Sequence, residues 1–198
     1  MSTTEAEQFD RGMRFFEHWG IQHLRQALLH DVAGIVLEVG AGTGANLPLY
    51  GRSAHATLVD IKPDRLLLAR QKSGAPHAPA TCANAQQLPF ADSQFDVVVG
   101  TLVFCSIPQP ELALAEIRRV LKPDGRLLLL EHTRGHGPIS RRFTDWLQPL
   151  WFALQGECHL NRETAVTVQQ AGFTIDHSSV HGYGLLQMMK ASVCPEKV

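Results

Sequence analysis

Short apolar runs alternate with longer segments of helical spacing along this chain, and that alternation constrains the fold more than any other feature of the sequence. The runs rich in β-branched and aliphatic residues are 35–39, 56–60, 80–83, 95–100 and 126–131. The longer segments, 63–72, 111–121 and 140–154, carry apolar residues at three- and four-residue steps, which is typical of helices. Because the short runs are continuously apolar rather than alternating, they predict parallel strands in a sheet covered on both faces.

The two ends of the chain follow different patterns. Segments 172–178 and 185–193 predict two strands joined at 181–184, and we expect them to pair antiparallel at one edge of the sheet. Residues 1–30 predict amphipathic helix packed at the mouth of the sheet. Its apolar side consists of Phe9, Met13, Phe16, Leu24 and Leu28. The predicted fold class is therefore α/β, a doubly wound, mostly parallel seven-stranded sheet with a C-terminal antiparallel strand pair.

The composition narrows the classes of function. The 198 residues carry a net charge of -1 and are 44% hydrophobic and 19% charged, a profile typical of ordinary soluble proteins. The charge balance gives no basic patch, so we expect no nucleic-acid partner. The longest apolar stretch, 97–107, is far shorter than the roughly 20 residues of a membrane span, so no transmembrane segment is expected.

Targeting signals and cysteine spacing point to a location. The first ten residues carry acids and lack a basic-then-apolar pattern, so we predict no signal peptide. The four cysteines, Cys82, Cys105, Cys158 and Cys194, are far apart and form no C-x-x-C pair. This spacing favours a reducing, cytoplasmic location over a disulfide framework. The oligomeric state is left open.

A glycine-rich string follows the first predicted strand. Gly40, Ala41, Gly42 and Gly44 lie where, in an open α/β sheet, ligands bind at the carboxyl ends of the strands. Glycines there let the backbone turn sharply and approach a ligand closely. With Ala45 the string also fits the dinucleotide pattern G-x-G-x-x-G/A, so by itself it allows either a dinucleotide or another nucleoside ligand.

Two acidic residues lie beside this string, and only Glu38 separates the two alternatives. Asp60 ends the second predicted strand, where a carboxylate can accept hydrogen bonds from both ribose hydroxyls, or can cap the helix that starts at Pro63. Glu38 lies two residues before Gly40, where it would repel a diphosphate and would suit a positively charged amino group. A nicotinamide-dependent oxidoreductase is also disfavoured because Tyr50 and Tyr183 are not followed by lysine four residues later.

Five motifs in order resemble the class I S-adenosylmethionine-dependent methyltransferases. They are LEVGAGTG at 37–44, VD at 59–60, NAQQLPF at 84–90, FDVVV at 95–99 and LKPDGRLLLLE at 121–131. The resemblance covers roughly residues 35–192 and implies a Rossmann-like fold with S-adenosyl-L-methionine as cofactor. It is strongest for the members that methylate small molecules such as quinones, phospholipids and thiols. A further set is similar to the methyltransferase-like family that methylates alkyl thiols: Cys105-Ser106, Glu131-His132, Trp146, Trp151 and 158–163.

The resemblance implies one methyltransferase domain over residues 1–198. Its parts would be an N-terminal helical cap (1–30), a cofactor-binding core (31–134), a substrate lid with a helix (135–172) and the C-terminal strand pair (173–198).

The resemblance also assigns roles around the cofactor. Gly40, Ala41, Gly42 and Gly44 would lie under its methionine part, and Glu38 would face the amino group. Asp60 would bind the ribose. The adenine would contact Ile61, Lys62, Asn84 and Ala85, and the backbone of Thr101 would contact the methionine part. The chain departs from the family at Asn84, where Asp is usual, and at Asp124, where Gly is usual in the predicted turn 123–125. Asn84 keeps an acceptor oxygen for the adenine amino group, so we expect binding to survive.

His132 is the candidate catalytic residue. It follows the fifth strand and would orient or deprotonate the methyl acceptor, or else would simply bond to a neighbouring carbonyl. His132 and His136 share H-x-x-x-H spacing, but Gly135 and Gly137 argue against the helix that would aim both at one metal ion, so no metal is expected.

The predicted acceptor pocket is formed by Cys105, Trp146, Trp151, His159 and Arg162. Segment 143–154, which Pro149 interrupts, would supply an apolar lid, a surface in contact with a membrane, or ordinary packing over the sheet edge. His159 and Arg162 would otherwise cap a helix over 161–170.

The function predicted from the sequence is methyl transfer to a small, lipophilic acceptor. A thiol is favoured, followed by a quinone or a phospholipid. The alternatives are an NAD-dependent oxidoreductase and a cofactor-binding protein without catalysis.

Overall fold

The computed structural model describes residues 5–72, 78–135, 137–155 and 158–194. The strands are β1 (Gly34–Val39), β2 (Ala54–Asp60), β3 (Ala80–Cys82), β4 (Phe95–Thr101), β5 (Leu121–His132), β6 (Phe173–His181) and β7 (Leu186–Val193). The helices are α1 (Glu5–Phe16), α2 (Gln22–Leu29), α3 (Pro63–Lys72), α4 (Pro110–Val120), α5 (Pro138–Gln155) and α6 (Thr164–Gln170). A kinked segment, Glu17–Ile21, joins α1 to α2, and Gly20 has φ +119° at the kink.

The strands form one seven-stranded sheet in the order β3-β2-β1-β4-β5-β7-β6. The first five strands are parallel, and β7 pairs antiparallel with both β5 and β6. The predicted fold class, including the C-terminal antiparallel pair at one edge, is confirmed. The strand order reverses between β1 and β4, and that reversal opens a crevice at the carboxyl ends of the strands, where ligands bind in such sheets.

Consecutive leucines in β5 explain why the sheet is covered on both faces. Leu127 and Leu129 pack with Ile117 of α4 on one face, whereas Leu128 and Leu130 pack with α2 on the other. Because successive strand side chains point to opposite faces, an unbroken apolar run is needed to fill two core layers at once.

Three local expectations are corrected by the structure. Residues 123–125 do not form a separate turn, because β5 already begins at Leu121 and pairs there with Phe95 across a register shift in β4. Pro149 does not interrupt the lid segment, since it lies inside α5. Helix α6 begins at Thr164 rather than 161. The predicted apolar side chains Phe9, Met13 and Phe16 lie outside the described side chains.

Helix α5 leaves much of its apolar surface exposed. Ile139, Phe143, Trp146 and Leu150 are all exposed, and the Trp146 side chain is 72% exposed. None of the helices in the described part of the chain is both long enough and apolar enough to span a bilayer.

We predict that Leu129→Ala lowers the free energy of unfolding by about 3 kcal/mol, because the fully buried side chain leaves a cavity that the neighbouring strands cannot fill. Urea unfolding would measure the change. Leu112→Ala on α4, at a side chain that is 48% exposed, is the matched control and should cost less than about 1 kcal/mol. Equal losses in the two variants would contradict the placement of Leu129 in the core.

Candidate functional site

A cavity of about 740 Å³ opens at the carboxyl ends of the parallel strands. Its walls come from the loops after β1, β2, β3 and β4, from the end of β5, and from residues after them in the chain. The N-terminal helical segment supplies a further wall through Asp10, Glu17, Ile21, Gln22 and Arg25. The N-terminal segment therefore lies at the mouth of the sheet and bounds the cavity on one side.

The loop after β1 requires glycine at position 40. Gly40 has φ +66°, and a Cβ atom there would lie 2.1 Å from Cγ2 of Val103. Gly40, Ala41 and Gly42 all line the cavity. Gly44 instead serves packing, because a Cβ there would meet Leu47 and Ala69 at 3.0 Å. The loop thus presents bare backbone to the cavity while it packs tightly against the loop after β4.

Asp60 lies at the end of β2 with its carboxylate fixed. Its Oδ2 accepts a hydrogen bond from the Gly42 amide at 2.7 Å, and its Oδ1 accepts one from the Lys62 amide at 2.9 Å. The residue is 6% exposed and lines the cavity. Each carboxylate oxygen can accept a second hydrogen bond, so Asp60 can still receive a pair of hydroxyl groups.

The next part of the wall combines apolar and polar groups. Ile61, Lys62, Asn84 and Ala85 all line the cavity beside Asp60. The Asn84 side-chain oxygen accepts a hydrogen bond from the Gln86 amide at 2.9 Å, which orients the side chain. Its second lone pair is left for the amino group of an adenine, and its amide hydrogens are left for an acceptor. These residues suit a flat heteroaromatic base that lies next to a diol. In S-adenosylmethionine the adenine is such a base and the ribose carries such a diol.

Glu38 belongs to a buried polar network behind the wall. Its Oε1 accepts a hydrogen bond from Asn46 at 3.0 Å, and its Oε2 accepts one from the Tyr50 hydroxyl at 2.9 Å. Asn46 also donates to the hydroxyl of Thr101 at 3.0 Å, and Arg25 donates to both Asn46 and Thr101. Thr101 and Arg25 line the cavity, so the network connects α2 to the wall near the predicted methionine site.

Three members of this network were missed by the sequence analysis. Asn46 and Tyr50 carry no motif that could have identified them. Arg25 has one usable signal, because it is a charged residue among the apolar positions Leu24, Leu28 and Leu29 of an amphipathic helix. A buried arginine needs partners, and Glu17 supplies one more at 2.9 Å.

Burial raises the pKa of Glu38 to about 7, against the opposing effects of the Tyr50 hydrogen bond and the Arg25 charge. The folded protein therefore holds the Glu38 proton to a higher pH than the unfolded chain does. A cation bound near Glu38 would favour the ionised form of its carboxyl group.

A second buried carboxylate, Glu131, holds the turn after β4. Its Oε1 accepts hydrogen bonds from the amides of Val103 and Phe104 at 2.9 and 3.0 Å, and its Oε2 accepts one from Cys105 at 3.3 Å. Burial raises its pKa, and the three amides oppose that rise. Glu131 is thus a positioning residue that places Cys105 on the cavity wall.

Cys105, His132 and Cys158 meet on this wall. One donor atom from each lies within 4.8 Å of the other two, and Sγ of Cys158 lies 3.5 Å from Nδ1 of His132. The indole of Trp151 stands edge-on to the His132 ring at a centroid distance of 6.3 Å. The hydrogen bond with Cys105, and then the one with His132, lowers the pKa of Cys158, whereas the pKa of Cys105 is raised.

The other predicted acceptor residues do not line the cavity. Trp146 is exposed because it lies five residues before Trp151, about 140° away around the helix. The ring of His159 contacts Gln148 at 3.2 Å. Arg162 donates to the carbonyl oxygens of Phe104 and Ile107 at 2.5 and 2.6 Å, so it braces the loop behind the wall. His136 lies outside the described residues.

Replacing Glu38 by Gln should flatten the pH dependence of stability between about pH 4.5 and 7. In the wild type the unfolded chain releases this proton near the ordinary pKa of 4.5 and the folded protein near 7, so the unfolding free energy falls as pH rises through that window. Across this window the unfolding free energy decreases by about 3 kcal/mol, since each unit of pKa difference changes it by about 1.4 kcal/mol.

Urea unfolding across this window would measure both proteins. Glu111→Gln, on the exposed side of α4, is the control and should keep the wild-type slope. Identical slopes in wild type and Glu38→Gln would show that Glu38 does not retain its proton in the folded state.

Comparison with known proteins supports the nucleoside interpretation of the cavity. Residues 37–129 match the family model described as a methyltransferase domain. A thiol S-methyltransferase of Rattus norvegicus is 37% identical over 147 residues, which are 70% of this chain and 59% of the relative. A ubiquinone/menaquinone biosynthesis C-methyltransferase of Sinorhizobium fredii is 39% identical over 118 residues, covering 56% of this chain and 46% of the relative.

A solved methyltransferase structure has a fold similar to that of this chain. A SAM-dependent methyltransferase from Methanosarcina mazei superimposes with a TM-score of 0.66 at 24% identity, covering 83% of this chain and 94% of that chain. The chain spans about three-fifths of the length of the rat relative. Motif order, fold and relatives agree, and residues 37–129 of this chain belong to the S-adenosylmethionine-dependent methyltransferase domain family.

Proposed function

We propose that this chain transfers the methyl group of S-adenosylmethionine to the sulfur of a small, lipophilic thiol. The observation that carries the proposal is the continuity of the cavity. One space joins the glycine loop and Asp60 to a wall formed by Cys105, His132, Trp151 and Cys158. Donor and acceptor could therefore lie together in it without a rearrangement of the sheet.

The cofactor would be held by the residues around the glycine loop. Asp60 would accept hydrogen bonds from the ribose hydroxyls, and Ile61 and Asn84 would flank the adenine. The backbone of Gly40–Gly42 would pass under the methionine part, while Glu38 and Arg25 would set the charge near its amino and carboxylate groups. When bound, S-adenosylmethionine supplies a methyl group activated by a positively charged sulfur.

The chain's own contribution to the reaction is position and exclusion of water. The acceptor atom must come within about 3 Å of the methyl carbon, opposite the sulfonium. Leu102, Ile107 and Trp151 offer apolar surface for the acceptor's carbon chain. A thiol as acidic as a cysteine side chain has a pKa near 8.5, so a fraction of it is already thiolate at neutral pH and it needs no strong base. The ring of His132 would orient the acceptor.

The relatives support a thiol over other acceptors without deciding the substrate. The rat thiol S-methyltransferase supports the thiol, and the Sinorhizobium fredii relative makes a quinone the next acceptor to test. Neither the NAD-dependent oxidoreductase nor the non-catalytic binding protein is favoured by any of the matches.

We predict that Asp60→Ala weakens the binding of S-adenosylhomocysteine roughly 10- to 100-fold, because charge-assisted hydrogen bonds to the ribose are lost. Isothermal titration would give the affinities, with Asp124→Ala at an exposed position as the control that leaves them unchanged. A parallel titration with NADH should show no binding. Full affinity in Asp60→Ala, or preference for NADH, would contradict the cofactor assignment.

The chemical class of the methyl acceptor is tested with a labelled methyl donor. The protein is incubated with methyl-labelled S-adenosylmethionine and a panel of alkyl thiols, quinones and phosphatidylethanolamine, and the products are separated. We expect label on thiols. Label only on a quinone or on the phospholipid would overturn the thiol assignment, and a chain that neither binds S-adenosylhomocysteine nor labels any acceptor would overturn methyl transfer itself.

Trp151→Ala should raise the KM for long-chain thiols more than for short ones, with a smaller effect on kcat. The indole lines the cavity, so its removal takes away apolar contact that only a long chain uses. Trp146→Ala is the matched control, because that tryptophan lies on the same helix but is exposed to solvent. Equal KM changes for long and short thiols, or the same effect from Trp146→Ala, would remove Trp151 from the acceptor pocket.

A further inference from the structure

We propose that Cys105, His132 and Cys158 bind a thiophilic divalent metal ion of the zinc type, with its fourth coordination position open to the cavity. The binding site is inferred from the geometry of these three side chains. Its use, to hold the acceptor thiol, rests on the proposed function above.

The spacing of the ligand atoms fits a tetrahedral ion. Zinc–sulfur and zinc–nitrogen bonds of about 2.3 and 2.0–2.1 Å place the sulfur and nitrogen of two ligands about 3.6 Å apart. Sγ of Cys158 and Nδ1 of His132 lie 3.5 Å apart. All three donor atoms lie within 4.8 Å of one another. The sulfur–sulfur distance therefore needs to shorten by at most about 1.0 Å to reach about 3.8 Å, and the remaining sulfur–nitrogen distance by at most about 1.2 Å.

The three ligands are held by separate parts of the fold. Glu131 fixes the backbone at Cys105, and His132 follows directly at the end of β5. The segment that carries Cys158 is joined to the same turn, because the His159 amide donates to the Cys105 carbonyl oxygen at 2.8 Å. The Leu160 amide adds a bond to the Gln148 side chain at 2.6 Å. The backbone thus arranges the ligands before any ion arrives, which lowers the cost of binding.

The chemistry of the ligand set selects the class of ion. Two thiolates and an imidazole suit zinc and exclude hard cations such as Mg²⁺ and Ca²⁺, which prefer oxygen ligands. Three protein ligands with one open position are typical of catalytic rather than structural zinc. Cys105, His132 and Cys158 all line the cavity, so the open position faces the space where the acceptor would lie.

A metal there would prepare the acceptor for methyl transfer. A thiol whose sulfur binds at the open position displaces water and releases its S–H proton to solvent, as a coordinated thiol does. A lone pair on that sulfur then forms the new bond to the methyl carbon. The bond between the methyl carbon and the cofactor sulfur breaks with its electron pair left on the cofactor sulfur, which becomes a neutral thioether. The products are the methylated acceptor, S-adenosylhomocysteine and one proton.

This site departs from the sequence expectation that no metal is bound. That expectation considered only His132 with His136, whose spacing lacks a helix. The ligands proposed here come from three loops or strand ends that are distant in sequence, so no spacing motif connects them.

Cobalt titration tests the site without any turnover. The reduced, chelator-treated protein is titrated with Co²⁺ under nitrogen, and the visible and thiolate-to-cobalt charge-transfer absorption is recorded. We expect one equivalent of tetrahedral, thiolate-bound cobalt that Zn²⁺ displaces. Cys158→Ser and Cys105→Ser should each lower the affinity by at least about 100-fold, since even the loss of an outer-shell partner costs 10- to 100-fold. Cys194→Ser, at an exposed cysteine, should retain the wild-type spectrum.

The affinity of each variant for S-adenosylhomocysteine, measured on the same samples, shows that it is folded. No charge-transfer absorption in the wild type, or equal absorption in Cys158→Ser and Cys194→Ser, would overturn the metal site and leave methyl transfer untouched. A cobalt site in a protein that methylates no thiol would instead overturn the use of the metal and the thiol assignment together, with the site itself retained.

Discussion

The buried carboxylate of Glu131 is the constraint on which both halves of the cavity depend. Its two oxygens accept three backbone hydrogen bonds from Val103, Phe104 and Cys105. Removing it would leave three amides without that acceptor, at a cost of about 1–3 kcal/mol for each that stays buried. The turn it fixes presses Val103 against Gly40 on one side and presents Cys105 beside His132 on the other. The loop after β1 and the wall beside His132 therefore both depend on one side chain at the end of β5.

The buried Arg25 attaches the N-terminal helices to the wall of the same cavity. Arg25 of α2 reaches Thr101 at the end of β4 and Asn46 beyond the glycine loop, and Asn46 in turn holds Glu38. Because the cavity wall on this side is helical rather than part of the sheet, its position depends on these polar contacts and on the packing of Leu28 against the sheet. The network thus connects the helical wall of the cavity to the buried Glu38.

The sequence predicted the parts of this molecule that are encoded locally. Continuous apolar runs predicted the parallel strands, and the string from Gly40 to Gly42 together with Asp60 predicted residues that line the cavity, since each signal lies within a few residues. The sequence did not predict contacts between segments that are far apart along the chain. The meeting of Cys105 with Cys158 depends on how the loop before α6 returns to the sheet, and the different placement of Trp146 and Trp151 depends on the rotation of α5. Arg25 was overlooked because its partners lie in three other elements.

We propose that one cavity brings the methyl donor to the wall formed by Cys105, His132 and Cys158. A crystal structure of the complex with S-adenosylhomocysteine measures this directly, through the position of the ligand's sulfur atom. We expect the adenine beside Ile61 and Asn84, the ribose on Asp60, and the sulfur turned toward the His132 side of the cavity. A ligand bound elsewhere, or one whose sulfur faces away from that wall, would contradict it.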